Sequence, residues 1–182
     1  MVNKLRIGII GCGSIAHGAA LCFILDPCVE LTFCCDKDLV RAKNFAGRFQ
    51  IKEFTTQFHE VINSPKVDAI YLAVPHYLHY EIVIDAIMAG KPTLCEKPIT
   101  TTIEDALKIV DLSERNGIKV GVNYQYRYDL AVNQLAEAVK KALLALPAVS
   151  IVTDRGFIFS RIISPLLTKG GSSLQRRARA AV

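Results

Sequence analysis

With 51% hydrophobic and 21% charged residues, the 182-residue chain is globular and can bury a core, in one domain or in one domain with a fragment of a second. No apolar run reaches the roughly 18 residues of a membrane-spanning helix, so no membrane association is expected. The net charge of +5 hints at nucleic acid only until it is located. Residues 1–154 hold 16 Lys/Arg and 17 Asp/Glu, whereas residues 155–182 hold six basic residues and no acidic one. The positive charge is a property of the tail, and the body gives no support for a specific nucleic-acid partner.

Apolar runs alternate with helical patterns along the chain. Leu5–Ile10 reads as a strand, Ser14–Leu25 as a helix, Val29–Cys35 as a strand and Leu39–Phe49 as a helix. Lys52–Phe54, Ala69–Val74, Thr93–Cys95 and Ile118–Val122 continue the strands. Phe58–Asn63, His79–Ala89, Thr102–Asn116 and Leu130–Leu144 continue the helices. Near-continuous apolar strands are those buried on both faces of a parallel sheet. Thr101 or Thr102 ahead of Glu104 and Asp105 is a helix start, while Ala89-Gly90 and Asn116-Gly117 are helix stops. Ile103, Leu107, Val110 and Leu112 sketch the apolar face of the helix between them. The fold class is therefore α/β, a doubly wound parallel sheet with right-handed crossovers.

Composition shifts near Leu146-Pro147. Ala148–Thr153 and Phe157–Ile163 read as two further strands, and from Ser164 the text turns to Pro, Gly, Ser, Arg and Ala. The expected organisation is a cofactor domain over residues 1–125 and, over 126–182, an incomplete α+β domain with a basic tail. That end reads as a disordered tail, a shortened domain or a frame-shifted stretch. The six cysteines show no zinc-type spacing and read as small buried thiols in a reducing compartment. The start, Met-Val-Asn-Lys-Leu-Arg, enters a strand with no signal-peptide pattern, which points to the cytoplasm. No metal site is expected.

Three short motifs carry chemistry. Gly11, Gly13 and Ala16, with Cys12, Ser14 and Ile15 between them, form a G-x-G-x-x-A turn between a strand and a helix. Gly11 permits the turn, Gly13 lets backbone approach a pyrophosphate, and Ala16 lets the helix pack closely. Asp36 ends the second strand, 25 positions after Gly11, where a carboxylate meets the adenosine ribose. It favours NAD over NADP, a preference that Lys37 beside it softens. Val74, Pro75, His76 and His79 lie at the end of the fourth strand, His76 as a nicotinamide-side contact and His79 as a contact or a structural residue at the next helix start. Glu96-Lys97-Pro98 ends the fifth strand on the same edge. A partly desolvated Lys97 can exchange a proton with a substrate hydroxyl, with Glu96 orienting its ammonium and Pro98 holding a constrained turn. A dinucleotide and a proton donor together point to hydride transfer.

These motifs resemble the glucose–fructose oxidoreductase/inositol 2-dehydrogenase/rhizopine-catabolism (Gfo/Idh/MocA) oxidoreductases. The resemblance rests on Gly11 to Ala16, Cys35-Asp36, Val74-Pro75 with His79, Gly90-Lys91-Pro92, Cys95-Glu96-Lys97-Pro98, and Gly121-Val122-Asn123 followed by Arg127. It implies an NAD(P)-binding Rossmann domain leading, through Tyr124–Tyr128, into an open-faced sheet domain that binds a sugar, inositol or related polyol and makes homo-oligomer contacts. It also implies that Lys97 is the essential active-site lysine. The chain departs from the family pattern at His76, where asparagine is common. None of the four histidines follows Lys97, so the family's acid/base histidine has no counterpart here. The alternative expectation is a non-catalytic nucleotide-binding or interaction protein.

Overall fold

The computed structural model describes residues 4–145, 151–153 and 156–158. The chain divides into two compact units, Met1–Asn123 and Tyr124–Val182. The first holds six parallel strands: β1 (Leu5–Ile10), β2 (Val29–Cys35), β3 (Glu53–Thr55), β4 (Ala69–Leu72), β5 (Thr93–Glu96) and β6 (Val120–Asn123). Their spatial order is β3-β2-β1-β4-β5-β6, two mononucleotide halves meeting between β1 and β4. The connecting helices are α1 (Ser14–Leu25), α2 (Leu39–Phe49), α3 (Phe58–Ile62), α4 (His79–Met88) and α5 (Ile103–Asn116).

Strand alternation divides the core between the two faces of the sheet. Ile7, Ile9, Leu31, Cys34 and Tyr71 pack with Ala16 and Ala20 of α1 and with Phe45, Ala46 and Phe49 of α2. Ile10, Phe33, Cys35, Ile70, Leu72 and Cys95 pack on the opposite side with residues of α3, α4 and α5. Each large aliphatic side chain buried this way contributes about 1.5–3 kcal/mol relative to exposure. Gly8 faces α3, where a Cβ would lie 2.6 Å from Val61 Cγ1, and the following loop, where it would lie 3.0 Å from Val67 Cγ1. A parallel sheet puts every strand's carboxyl end on one edge, so Gly11, Asp36, Val74 and Lys97 all emerge there.

Helix ends follow local chemistry. Asp38 caps α2, accepting from the Val40 and Arg41 amides, and Thr102 caps α5 through the Asp105 amide. Gly117 ends α5 at φ +66°. The Ile118 amide still bonds back to Ser113, which delays β6 to Val120, later than the apolar run suggests. At β4 the pairing stops at Leu72 instead of Val74, ahead of a proline without an amide hydrogen. The apolar face of α5 also differs from expectation: Ile109 is its buried residue, with Leu112 packed against the core, while Ile103 and Leu107 are exposed. Cys12, Cys34, Cys35 and Cys95 are buried free thiols, but Cys22 and Cys28 are exposed, one on the outer side of α1 and one in the turn before β2.

The second unit contains a 3-10 turn over Gln125–Tyr128, α6 (Leu130–Ala145) and an antiparallel pair, β7 (Ile151–Thr153) with β8 (Gly156–Ile158). Residues 148–150 and 159–163 of the two expected strands, and the basic tail from Ser164, lie outside the described residues. Among the described residues no helix is long and apolar enough to cross a membrane.

Candidate functional site

The glycine turn at the end of β1 is shaped by two glycines that act differently. Gly11 has φ +93°, and a Cβ there would collide with the Ala73 carbonyl, its carbon 2.6 Å away, and meet Val74 Cγ1 at 3.0 Å. Gly13 has φ −78°, and a Cβ there would meet nothing within 4 Å. The first glycine is required by the protein's own backbone, whereas the second borders open space. Gly13 caps α1 without a side-chain hydrogen bond, and the first turn of α1 contains no acidic residue. Ser14 and Ile15 are exposed and Ala16 is buried. Uncapped amides at the positive end of a twelve-residue helix, beside space that a side chain would fill, fit a pyrophosphate.

Asp36 lies beside this turn, only 7% exposed. Its Oδ2 accepts from the Cys12 amide at 2.9 Å and its Oδ1 from the Asp38 amide at 3.0 Å. Nη1 of Arg41 stands 3.7 Å from Oδ1 on a half-exposed side chain. Lys37 is exposed and forms no hydrogen bond or ion pair with any described residue, so the cation beside Asp36 is Arg41, which the linear sequence does not single out. Its signal was the first turn of α2, which starts at the Asp38 cap and returns Arg41 to the strand end. Burial and the neighbouring Asp36 push the Cys35 thiol up to about 12, so it stays protonated.

At the end of β4, Pro75 and His76 are exposed and Val74 is half-buried. His79 is fully buried at the start of α4. Its Nδ1 is 2.8 Å from the Pro98 carbonyl oxygen and its Nε2 2.9 Å from that of Val74. A neutral imidazole donates from one nitrogen only, and a doubly protonated ring donates from both. In either state the ring is committed to the two loops that carry His76 and Lys97. The His76 and His79 rings meet edge to face at 5.6 Å.

Glu96 ends β5, 7% exposed, and Lys97 follows it into solvent across a cis Lys97–Pro98 bond. Glu96 Oε1 accepts from Tyr71 Oη at 2.6 Å and from Asn123 Nδ2 at 2.6 Å, so β4, β5 and β6 are tied at one atom. Burial, then the hydrogen bond to Glu96, pushes the Tyr71 phenol well above its ordinary range. Lys97 forms no hydrogen bond or ion pair with any described residue, which leaves its ammonium available at the edge. Tyr71 is missed in the sequence, and Asn123 appears there only as part of a family motif, because their bonds to Glu96 arise from strand register: Tyr71 pairs with Leu94, and Asn123 with Glu96. Among the described residues no His, Cys, Asp and Glu cluster could hold a metal ion.

A family profile described as "Oxidoreductase family, NAD-binding Rossmann fold" (Gfo/Idh/MocA) matches residues 5–124. The chain belongs to this family. Its members include NAD(P)-dependent dehydrogenases and reductases. Over 127 residues it is 32% identical to a dTDP-3,4-didehydro-2,6-dideoxy-alpha-D-glucose 3-reductase from Saccharopolyspora spinosa, covering 69% of this chain and 38% of that protein. Over 156 residues it is 31% identical to an inositol 2-dehydrogenase from Acidothermus cellulolyticus, covering 84% of this chain and 46% of that one. A 3-ketoreductase from Actinomadura kijaniata, solved in complex with NADP and TDP-benzene, superposes with a TM-score of 0.72 at 30% identity. That superposition covers 78% of this chain and 43% of the 3-ketoreductase. The chain thus spans between 38% and 46% of the length of these relatives. As a Gfo/Idh/MocA Rossmann unit it binds NAD(P).

Proposed function

We propose that this chain takes part in NAD(P)-dependent hydride transfer between the nicotinamide and a secondary alcohol, or the matching ketone, of a sugar, inositol or related polyol. The observation that carries the reading is the placement of an uncapped glycine-turn helix end and an unpaired Lys97 on one sheet edge. Residues 1–125 act as the cofactor domain, and residues 126–182 belong to the part that meets substrate and neighbouring subunits.

The bound nicotinamide supplies hydride chemistry. Gly11 holds the turn open, and Gly13, Ser14, Ile15 and Ala16 bring backbone to the pyrophosphate. Asp36 accepts from the adenosine ribose. Val74, Pro75, His76 and Glu96 line the nicotinamide side, and His79 holds that side together from beneath. Lys97 Nζ donates to the substrate oxygen and moves its proton as the carbon centre changes oxidation state. Oriented groups of this kind account for roughly 7–11 kcal/mol of a barrier when the geometry is well fixed.

The test is cofactor reduction or oxidation across a panel of sugars, inositols and their ketones, with NADH titration alongside. Turnover that Lys97→Ala abolishes, with cofactor binding retained, supports the reading. Tight cofactor binding with no turnover on any panel member favours a non-catalytic dinucleotide-binding protein instead.

A further inference from the structure

Glu96 is a buried carboxylate without a counter-ion. It is 7% exposed, yet no lysine, arginine or histidine among the described residues forms an ion pair with it. Lys97, its neighbour in sequence, is exposed and pairs with no described residue. Both groups that bind Glu96 donate to the same oxygen, Oε1: the Tyr71 hydroxyl at 2.6 Å and the Asn123 amide at 2.6 Å. A hydroxyl donor at about 2.5–2.7 Å is characteristic of an ionised acceptor. Oε2 receives no hydrogen bond from any described residue. Because Oε2 is not among the enclosed unsatisfied atoms, it is open at the strand edge, where an arriving cation can meet the carboxylate without displacing either donor. Its position supplies the clue. Glu96 lies at the carboxyl edge of β5, in the half of the sheet beyond the β1/β4 switch point, while Asp36 marks the other half.

We propose that Tyr71 and Asn123 are positioning residues that hold Glu96 as a fixed anion whose missing counter-charge is the cationic pyridinium of the oxidised cofactor. This rests on the cofactor reading above and adds to it a preference between the two cofactor forms. Oxidised nicotinamide carries a positive ring and reduced nicotinamide a neutral one, so a carboxylate fixed in a low-dielectric edge favours the oxidised form. Rigidity matters because a mobile carboxylate would turn to water and be screened. Two donors on one oxygen prevent that while leaving the other oxygen uncommitted.

The experiment titrates the full chain with NAD⁺ and with NADH, in wild type, Glu96→Gln and Tyr71→Phe, with thermal melts to confirm folding. Glu96→Gln keeps the shape and an acceptor but loses the charge. The expected result is a fall of about tenfold in the ratio of NAD⁺ to NADH affinity, nearly all of it in NAD⁺. Tyr71→Phe leaves the charge but frees it, and lowers the same ratio by a smaller factor. A merely structural role would move both affinities together. If Glu96→Gln does not fold, Tyr71→Phe decides alone. A ratio that stays at the wild-type value in the folded variants overturns the proposal and leaves the cofactor reading standing. Wild type that binds neither form overturns both.

Discussion

The backbone amide of Cys12 donates to Asp36 Oδ2 at 2.9 Å, so the carboxylate that ends β2 is part of the glycine turn that follows β1. The two strands are also bonded at this level, through the Gly11 amide and the Cys35 carbonyl at 2.8 Å. Asp36 therefore has two tasks that a sequence motif does not separate. It organises the turn from within, and under the function proposed above it would offer what remains of its acceptor capacity to the adenosine ribose. Each ionised oxygen has about two acceptor positions. One position on each is already taken, by the Cys12 and Asp38 amides.

Cofactor choice should consequently depend on Arg41 as well as Asp36. Asp36 repels a 2′-phosphate, but the Arg41 guanidinium 3.7 Å away offsets that charge and is exposed enough to reach outward. Wild type should prefer NAD over NADP only modestly. Arg41→Ala should widen the preference by about tenfold through weaker NADP binding, since a phosphate contact from arginine is a charge-assisted bond. Calorimetric titration with both cofactors measures it. An Arg41→Ala ratio equal to wild type removes Arg41 from the site.

Substitution at the two glycines of the turn should give opposite results. Gly11→Ala forces a side chain onto a backbone at φ +93° and into the Ala73 carbonyl. The left-handed conformation alone costs of order 1–3 kcal/mol, so the melting temperature should fall by several degrees whether or not cofactor is present. Gly13→Ala meets open space at an ordinary φ, and should fold as wild type does while binding NADH poorly. Thermal melts paired with NADH fluorescence separate the two. A Gly13→Ala chain that binds normally would show that the pyrophosphate does not approach there.

The parts of this fold that were legible are those fixed by local chemistry. β1, α1, β2 and α2 begin and end at the residues their patterns indicate, because glycine turns and the Asp38 cap leave little freedom. Elements lost accuracy where tertiary bonds set the limit. β6 starts late because Ile118 belongs to the end of α5, and the buried face of α5 is centred on Ile109 because of what α5 packs against. At the site, motif residues were visible and their partners were not. Tyr71 looks like any aromatic in a buried strand, and its bond to Glu96 depends on β4 and β5 being neighbours in a particular register.

His79 should behave as a structural brace. Replacing it by alanine removes the ring that faces both the Val74 and the Pro98 carbonyls. Leaving a buried acceptor unsatisfied costs about 1–3 kcal/mol, and the loss of packing at a fully buried position adds to it. His79→Ala should lower stability and weaken NADH binding together, because the loops carrying His76 and Lys97 lose their common anchor. His79→Gln, which can donate to one carbonyl, should recover part of both. Chemical denaturation and NADH titration of the two variants check it, and a destabilised chain with undiminished affinity would uncouple the brace from the site.

The Arg6–Asp68 pair gives the fold an acid-sensitive tie between β1 and the segment entering β4. Arg6 donates to Asp68 from its backbone amide at 2.9 Å, from Nε at 3.0 Å and from Nη2 at 2.6 Å. The side-chain hydrogen bonds, then the backbone bond, hold the Asp68 carboxyl down to about 2. An unfolded aspartate titrates near 4, so the folded form binds its proton less readily than the unfolded one. The stabilisation is therefore fully present above about pH 4 and is lost as the pH falls through the folded value near 2. Because the two side chains are 40% and 36% exposed, water and salt screen the pair, and its contribution should be small. Asp68→Asn should destabilise the chain slightly at pH 7, and the gap to wild type should close as the pH approaches 2. Urea melts of both at pH 7, 4 and 2.5 measure that gap, and a gap that widens on acidification contradicts the assignment.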